Sequence, residues 1–232
     1  MENYIRENID VIKAKIAKAA EKAGRNPEDV LLLAVTKTID VERIREAVDY
    51  GLYELGENKV QEIMDKCEVI DRPVQWHMIG HLQTNKVKYI IDKVKLIHSV
   101  DSLKLAEEIN KKAAKAGRVI DVLAEINVAD EESKFGITCD MAEDFIRQIS
   151  LMENIRIRGL MTVAPFVENG EENRPIFARL RQLLVDINDK KIDNVNMDIL
   201  SMGMTGDYEV AVEEGATIVR VGTGIFGPRV YL

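Results

Sequence analysis

Lys37 is the side chain in this sequence with the clearest capacity for covalent chemistry. It follows the apolar run LLLAVT, which begins at Leu31 and has the composition of a buried strand. Partial burial at the end of a strand lowers the pKa of an amine, and the neutral amine is a nucleophile towards aldehydes. Lys37 is therefore a candidate Schiff-base residue. A solvated lysine that simply ends a strand is the alternative that its position leaves open.

A glycine-rich segment, RVGTGIFG from Arg220, is the second candidate. Its glycines, beginning at Gly222, match the G-x-G-x-x-G pattern after an apolar run. Pro228 interrupts the long helix that a dinucleotide site requires, and no second βαβ half with a suitable acidic residue follows. The segment instead predicts a turn whose bare N–H groups approach an anion such as phosphate. A tight turn without a ligand is the alternative.

Two further polar residues end the last predicted strands. Arg220 is a permanent cation within the apolar run ATIVRVG, where its burial is costly unless a partner or a ligand compensates the charge. Ser201 ends the preceding run and offers a hydroxyl beside the glycine-rich segment. Both residues suit a phosphate site, while a structural ion pair is the alternative for Arg220.

The histidines and cysteines do not indicate a metal centre. His77 and His81 straddle the predicted end of a strand rather than sharing one helix face, and no third ligand is suitably spaced. Cys67 and Cys139 lack a C-x-x-C partner, so the sequence supports neither a structural zinc site nor a disulfide framework. We predict no metal and two reduced cysteines.

These residues need a scaffold that brings strand ends together. Eight short apolar, β-branched runs recur, starting at residues 31, 52, 75, 95, 119, 156, 196 and 216. Helix-like segments separate most of them, and this repetition indicates parallel βαβ units. Barrel active sites lie at the C-terminal ends of strands, where the candidate residues fall.

Eight such units predict closure into a single α/β domain, a (β/α)₈ TIM-like barrel over residues 1–232. Such a barrel needs about 200 residues at its smallest, so this length holds one barrel with little remainder. Isoleucines at helical spacing from Ile5 to Ile16 predict an additional N-terminal helix in the outer ring. An open doubly wound sheet is the alternative, and the strand count and regular spacing favour the barrel.

Composition excludes several functional classes. The 232 residues include 32 basic and 40 acidic side chains, and the net charge of −8 argues against a general nucleic-acid binder. The N-terminus has no apolar signal core and no apolar window reaches about 18 residues, so we expect neither secretion nor membrane insertion. Unpaired cysteines fit a reducing cytoplasm. No apolar stretch is left over after the barrel is assigned, which predicts a monomer.

Seven segments of the sequence resemble a known family. They are AVTKT around Lys37, GENKVQE from Gly56, WHMIGHLQTNK from Trp76, HSVDS from His98, INVADEESKFGI from Ile126, GLMTVAP from Gly159 and LSMGMTGDYEVAVEEGATIVRVGTGIFGPR from Leu200. In this order they resemble the pyridoxal phosphate homeostasis protein family, which is related to the alanine racemase N-terminal domain. The resemblance implies a fold-type III barrel with pyridoxal 5′-phosphate as its cofactor.

The resemblance also implies roles for individual residues. Lys37 would form the Schiff base with the cofactor aldehyde, and Arg220 would face the pyridine nitrogen. The remaining contacts divide into phosphate ligands and wall residues. The implied phosphate ligands are Ser201, Gly222 and Thr223. The implied wall residues are Asn58, His77 and Asn127. Thr205 stands where the family has a serine in the MGM segment, which keeps a hydroxyl there.

An arginine beside the pyridine nitrogen keeps that nitrogen largely unprotonated and makes the ring a weak electron sink. Racemisation also needs a second acid or base, which alanine-racemase-like enzymes obtain with the help of a second domain that this length does not accommodate. We therefore expect a non-catalytic protein that binds pyridoxal phosphate, buffers it and delivers it to pyridoxal-phosphate-dependent apo-enzymes. Lys134, in the loop after the fifth strand, is a candidate acceptor during transfer.

Two enzyme classes stay open as alternatives. A pyridoxal-phosphate-dependent amino-acid racemase would use Lys37 as its base and would exchange substrate α-protons with solvent. A Schiff-base aldolase or phosphate-sugar enzyme shares the lysine and the phosphate turn, and it predicts a protein without a bound chromophore.

Overall fold

The computed structural model describes residues 4–131 and 135–228, and these residues contain a closed barrel of eight parallel strands. Each strand pairs with the next along the chain, and β8 pairs with β1. The strands are β1 Leu31–Val35, β2 Glu54–Glu57, β3 Gln75–Met78, β4 Val94–Val100, β5 Ile120–Glu125, β6 Ile155–Met161, β7 Val195–Ser201 and β8 Ile218–Val221. Every strand begins within two residues of its predicted start. The predicted (β/α)₈ barrel is confirmed, because an open sheet would leave β1 and β8 unpaired.

Helices surround the barrel as the apolar periodicity predicts. They are α1 Tyr4–Lys22, α2 Val41–Asp49, α3 Val60–Val69, α4 Leu103–Lys115, α5 Ala142–Ile149, α6 Arg174–Asp189, α7 Tyr208–Glu213 and α8 Thr223–Phe226. The connection between β3 and β4 contains the 3₁₀ helix Thr84–Tyr89 in place of an α-helix. Among the helices that the structure describes, none combines the length and the apolar character needed to cross a membrane.

The N-terminal helix α1 covers the part of the barrel that the last helix leaves open. Its isoleucines from Ile5 to Ile16 are at most 5% exposed, and α1 packs against α7, α8 and α2. Asn8 donates a hydrogen bond to the carbonyl oxygen of Ile225 in α8 at 3.0 Å. Because α8 has only four residues, α1 supplies the apolar surface that a full closing helix would otherwise provide.

Side chains fill the barrel interior in layers, as in other barrels of this size. One layer is apolar and consists of Leu33, Leu96, Leu123, Met161 and Ile218, all at most 4% exposed. Alternate residues of a strand share one face, so the inward face of β8 continues from this layer to the next inward positions on that strand. The polar groups of the interior therefore lie on top of an apolar base.

Two of these inward faces meet where the barrel closes. Leu33 of β1 lies opposite Arg220 of β8 in the strand pairing. Two and four residues after Leu33 come Val35 and Lys37, and two residues after Arg220 comes Gly222. The pairing of the first and last strands thus places Lys37 and Arg220 at the same side of the barrel mouth.

The backbones of β6 and β7 approach each other closely at Gly159. A Cβ added there would lie 1.8 Å from the carbonyl oxygen of Ile199, and the pairing register shifts at this point. Gly159 also has a positive φ of +152°, which L-residues with a side chain rarely adopt. The close pairing of β6 and β7 therefore depends on residue 159 being a glycine, which has no side chain.

We expect Gly159→Ala to lower the free energy of unfolding by more than about 3 kcal/mol. The added Cβ either forces β6 and β7 apart or breaks the backbone hydrogen bonds between them. The matched control is Gly117→Ala at the exposed C-terminal end of α4, where φ is also positive but no atom lies within 4 Å of an added Cβ. That control should cost about 1–2 kcal/mol for its backbone conformation alone. Urea denaturation followed by circular dichroism measures both, and equal losses would contradict the role of the contact.

Candidate functional site

A cleft of about 230 Å³ opens at the C-terminal ends of β1, β7 and β8. Four residues from the predicted set contribute to its walls, namely Lys37, Arg220, Gly222 and Thr223. Thr205, Gly206 and Phe166 complete much of the lining. The structure therefore brings together the lysine, the buried arginine and the glycine-rich turn.

A buried ion pair holds the backbone on the strand side of Lys37. Thr36 donates its hydroxyl to Glu57 Oε1 at 2.6 Å. Lys66 donates its ammonium to the same Oε1 at 2.6 Å and to the carbonyl oxygen of Thr36 at 2.8 Å. Burial raises the pKa of Glu57, although Lys66 and Thr36 oppose the shift. These contacts fix the peptide group that precedes Lys37.

A second contact holds the residue after Lys37. The Thr38 N–H donates to Glu62 Oε2 at 2.7 Å, and Lys66 donates to that same oxygen at 2.9 Å. Thr38 has a φ of +61°, an uncommon conformation for a β-branched residue. The lysine is half-buried between two anchored neighbours, so the direction in which its side chain leaves the strand is set by the protein.

Arg220 lies below the cleft and is 4% exposed. Its Nη1 donates to the carbonyl oxygen of Ser201 at 2.8 Å and to the Ser201 hydroxyl at 2.7 Å, and its Nη2 donates to the carbonyl oxygen of Thr162 at 2.8 Å. Within the described ranges no carboxylate bonds to it directly, so the ion pair considered as an alternative is not observed there. Burial lowers the pKa of Arg220 to about 10, against the opposing charges of Glu125 and Asp207. The guanidinium therefore stays charged at neutral pH and makes the cleft attractive to anions.

Hydroxyl and N–H groups collect at the side of the cleft next to β8. The hydroxyl oxygens of Thr205 and Thr223 are 3.2 Å apart, and the Gly224 N–H points at Thr205 Oγ1 at 3.4 Å. A Cβ at Gly222 would lie 3.2 Å from the carbonyl oxygen of Val35, which leaves little room for a larger residue. Donors of these types bind the oxygens of a phosphate.

The loop that presents Thr205 is held by Asp207. Its Oδ1 accepts the Met204 N–H at 2.6 Å and its Oδ2 accepts from Asn173 at 2.8 Å. Asp207 is 7% exposed and its charge is used within the loop. The hydroxyl of Thr205 is thereby positioned at the mouth of the cleft.

Two predicted contact residues, Ser201 and His77, lie inside the barrel rather than on the cleft wall. Both are at most 1% exposed. Ser201 Oγ lies between Arg220 and His98, at 2.9 Å from His98 Nδ1. β7 ends at Ser201, and the chain reaches the cleft only at Met204 and Thr205. The hydroxyl that follows β7 and lines the cleft is that of Thr205, which sequence analysis noted only as a departure from the family pattern.

The other implied wall residues take part in loop packing. Asn58 is half-buried and contacts Gly80 so closely that a Cβ there would lie 2.5 Å from the Asn58 carbonyl oxygen. Asn127 exchanges two hydrogen bonds with the Glu131 backbone, at 2.8 and 3.2 Å. Lys134 lies outside the described residues.

Glu57 and Lys66 were not predicted as parts of the site. The signal for them is a chemical mismatch, because a carboxylate in a short strand and a lysine on the buried side of a helix are both costly unless paired. Tertiary structure decides whether Glu57 of the strand and Lys66 of the helix come together. The sequence alone therefore does not identify the two residues as partners.

Further titratable groups surround the barrel mouth. His81 Nδ1 lies 3.1 Å from Asp101 Oδ2, and the His81 ring stacks on Phe135 with centroids 3.8 Å apart. Burial, together with Asp101, raises the pKa of Glu125 to about 7. In residues 4–131 and 135–228, no three His, Cys, Asp or Glu side chains are arranged to hold a metal ion.

Comparison with known sequences assigns the chain to a family. The family described as alanine racemase, N-terminal domain, matches residues 7–230. A pyridoxal phosphate homeostasis protein from Aquifex aeolicus is 46% identical over 226 residues, which cover 97% of this chain and 98% of that protein.

Solved structures share the fold of this chain. PipY from Synechococcus elongatus PCC7942, solved with PLP bound, is 34% identical with a TM-score of 0.80, covering 91% of this chain and all of that one. An alanine racemase from Clostridium difficile 630 shares the fold at 16% identity and a TM-score of 0.76, and the match covers 97% of this chain and 57% of that enzyme. The chain belongs to the pyridoxal phosphate homeostasis protein family, within the group defined by the alanine racemase N-terminal domain.

Proposed function

We propose that this chain binds pyridoxal 5′-phosphate in the cleft at the ends of β1, β7 and β8 and holds it for delivery to other proteins. The observation that carries the proposal is the convergence of Lys37, the buried guanidinium of Arg220 and the hydroxyls of Thr205 and Thr223 on one cleft. Membership of the family and the PLP-bound structure of PipY support it.

The residues present fit the three functional groups of this cofactor. An aldehyde requires an amine, and Lys37 supplies one from an anchored turn. A phosphate requires donors, and Thr205, Thr223 and the backbone N–H groups after Gly222 supply them. A pyridine nitrogen accepts one hydrogen bond, and Arg220 is the buried donor on the same strand as the glycine turn.

Lys37 acts as the covalent anchor in this proposal. Its Nζ adds to the aldehyde carbon, one water molecule leaves, and the product is a Schiff base that water or another amine reverses. The bound cofactor supplies a reactive aldehyde and an electron-withdrawing ring. Anchoring the aldehyde on Lys37 keeps its concentration in solution low while leaving it recoverable.

Arg220 favours storage over chemistry on a bound amino acid. A guanidinium with a pKa of about 10 keeps its proton at neutral pH and therefore leaves the ring nitrogen unprotonated. An unprotonated ring withdraws electrons weakly, so deep stabilisation of a carbanion is not favoured. We therefore propose a carrier without turnover, whose recipients are pyridoxal-phosphate-dependent apo-enzymes. A monomer and a cytoplasmic location stay our predictions.

One observation favours a second function, an amino-acid racemase. The His81–Asp101 pair at the ends of β3 and β4 has the form of an oriented base, and racemisation needs an acid or base besides Lys37. A Schiff-base aldolase has no comparable support, and it would be purified without a chromophore.

Lys37→Ala is expected to abolish covalent retention of the cofactor. Wild-type protein loaded with pyridoxal 5′-phosphate should show the near-ultraviolet absorption band of a conjugated imine before reduction. After borohydride has reduced the imine to an amine, the cofactor should be found on the Lys37 peptide by mass spectrometry. Lys59→Ala, which removes an exposed lysine near the site, should behave as wild type. Full retention in Lys37→Ala would contradict the proposal.

Thr205→Val is expected to weaken binding of pyridoxal 5′-phosphate about tenfold or more, because a hydrogen bond to a charged group contributes roughly 1.5–3 kcal/mol. Pyridoxal, which has the aldehyde but no phosphate, is the control ligand, and its affinity should not change. Equilibrium dialysis measures both ligands. If both weaken equally, Thr205 shapes the cleft without contacting phosphate.

Incubation of the loaded protein with L-alanine in heavy water distinguishes the carrier from the racemase. A carrier should exchange the α-proton no faster than the same concentration of free cofactor, as followed by proton NMR. Faster exchange that is lost in His81→Asn while cofactor binding is kept would replace the carrier proposal with the racemase.

A further inference from the structure

A continuous row of hydrogen bonds crosses the barrel interior below the cleft. We call it the relay, and its members are Glu54, His77, His98, Ser201 and Arg220. Glu54 Oε2 lies 2.6 Å from His77 Nε2, and His77 Nδ1 lies 2.8 Å from His98 Nε2. His98 Nδ1 lies 2.9 Å from Ser201 Oγ, which accepts from Arg220 Nη1 at 2.7 Å. The relay joins residues of β2, β3, β4, β7 and β8.

The chemistry of the two ends determines where each proton in the relay lies. Arg220 has only donors, and an ionised Glu54 has only acceptors. If both histidines are neutral, His77 must carry its proton on Nε2 and accept through Nδ1. His98 must then also carry its proton on Nε2, and the Ser201 hydroxyl must donate to His98 Nδ1. Every donor points away from Arg220 and towards Glu54.

The surroundings favour this arrangement over the reverse. Burial alone would raise the pKa of Glu54, but hydrogen bonds from His77 and Lys95 outweigh it, and the pKa is lowered. Burial lowers the pKa of His77 although Glu54 opposes the shift, and burial lowers the pKa of His98 well below its usual value. A relay with its donors pointing the other way, from Glu54 towards Arg220, needs a protonated Glu54 or a charged His77. The lowered pKa of Glu54 disfavours the first condition, and the lowered pKa of His77 disfavours the second.

Charge explains why such a relay is useful. The guanidinium of Arg220 is buried without a directly bonded carboxylate in the described residues, and it has donated Nη1 and Nη2 to neutral oxygens. Polarised hydrogen bonds in a low-dielectric interior strengthen one another, so a carboxylate at one end stabilises a cation at the other. Through the relay, Glu54 would add to the opposing charges of Glu125 and Asp207, which act on Arg220 from a distance.

The outer end of the relay opens at the face opposite the candidate site. Glu54 contributes to a cleft of about 760 Å³ at the beginning of the strands, and its side chain is 18% exposed. This cleft is larger than the one beside Lys37, but it lies at the end of the barrel that does not usually carry the chemistry. The residue of the relay that this cleft exposes to solvent is Glu54, and Arg220 lies at the other end of the relay.

We propose that Glu54 is a positioning residue for Arg220, acting across the barrel through His77, His98 and Ser201. The ionised carboxylate fixes both histidine tautomers, and these let the Ser201 hydroxyl donate its proton to His98 Nδ1 while its oxygen accepts from the guanidinium. Hydrogen bonds from Nη1 and Nη2 thereby hold Arg220 in place, and its remaining N–H groups stay available to a ligand in the cleft. The proposal rests on the proposed function only in naming that ligand as pyridoxal 5′-phosphate.

The tautomers are tested on the protein without any cofactor. The chain has three histidines, so long-range ¹H–¹⁵N correlation spectra of labelled protein separate their ring nitrogens with few assignments. We expect a protonated Nε2 and an unprotonated Nδ1 for both His77 and His98. A protonated Nδ1 on His98 in the wild-type protein would overturn the proposal whether or not any variant folds.

Glu54→Gln tests the link between the two ends. Glutamine can donate or accept, so we expect a population of His98 with a protonated Nδ1 and a dissociation constant for pyridoxal 5′-phosphate about threefold to tenfold higher. The matched control is Asp121→Asn, which removes another carboxylate with 18% side-chain exposure at the start of a strand, outside the relay. The control should leave both measurements at their wild-type values.

The outcomes separate this proposal from the proposed function. Unchanged tautomers or an unchanged dissociation constant in Glu54→Gln would overturn the positioning role. Equal effects in Asp121→Asn would also overturn it, since they would reflect the loss of any carboxylate at that end. Failure of the wild-type protein to bind pyridoxal 5′-phosphate would overturn the proposed function, while a tautomer change confined to Glu54→Gln would still support the relay.

Discussion

The burial of the Arg220 charge is the constraint on which the rest of this structure depends. An isolated buried cation costs several kcal/mol, and the protein offsets that cost without a bonded carboxylate among the described residues. Two carbonyl oxygens and one hydroxyl accept its donors, and carboxylates act from a distance. None of these groups cancels the charge at contact, so under the proposed function the guanidinium keeps N–H groups available to a ligand in the cleft.

Closure of the barrel converts this local constraint into a site. The pairing of β8 with β1 sets Arg220 opposite Leu33, and the alternation of inward side chains then carries Lys37 to the mouth above it. The lysine needs an anchored backbone, which the Glu57–Lys66 pair provides from α3 and β2. The candidate Schiff-base lysine and a buried charge are therefore positioned by two neighbouring strands, with independent supports on either side.

The sequence predicts those parts of the structure that depend on periodicity and leaves out those that depend on contacts across the barrel. Alternation and spacing predict the eight strands, the helix α1 and the proximity of Lys37 to Gly222, because closure follows from strand number. The contacts of Ser201 were not predictable in this way. Its neighbour His98 is 103 residues away, and whether a hydroxyl at a strand end faces the cleft or the interior is decided by the turn that follows. The roles of Glu54 and Lys66 depend on partners in the same manner.

The shared fold does not by itself decide between a carrier and a racemase, because one barrel supports many chemistries. The decision lies in what surrounds the aldehyde. A carrier needs a reversible covalent anchor, donors for the phosphate and a ring environment that discourages carbanion formation. Under the proposed function, Lys37, Thr205 and the charged Arg220 supply these three features. A racemase needs in addition a base that reaches the substrate, and His81 is stacked on Phe135 and bonded to Asp101 at the rim. Storage requires fewer conditions than turnover, and this difference is why we propose the carrier for a cleft lined by Lys37, Thr205 and Arg220.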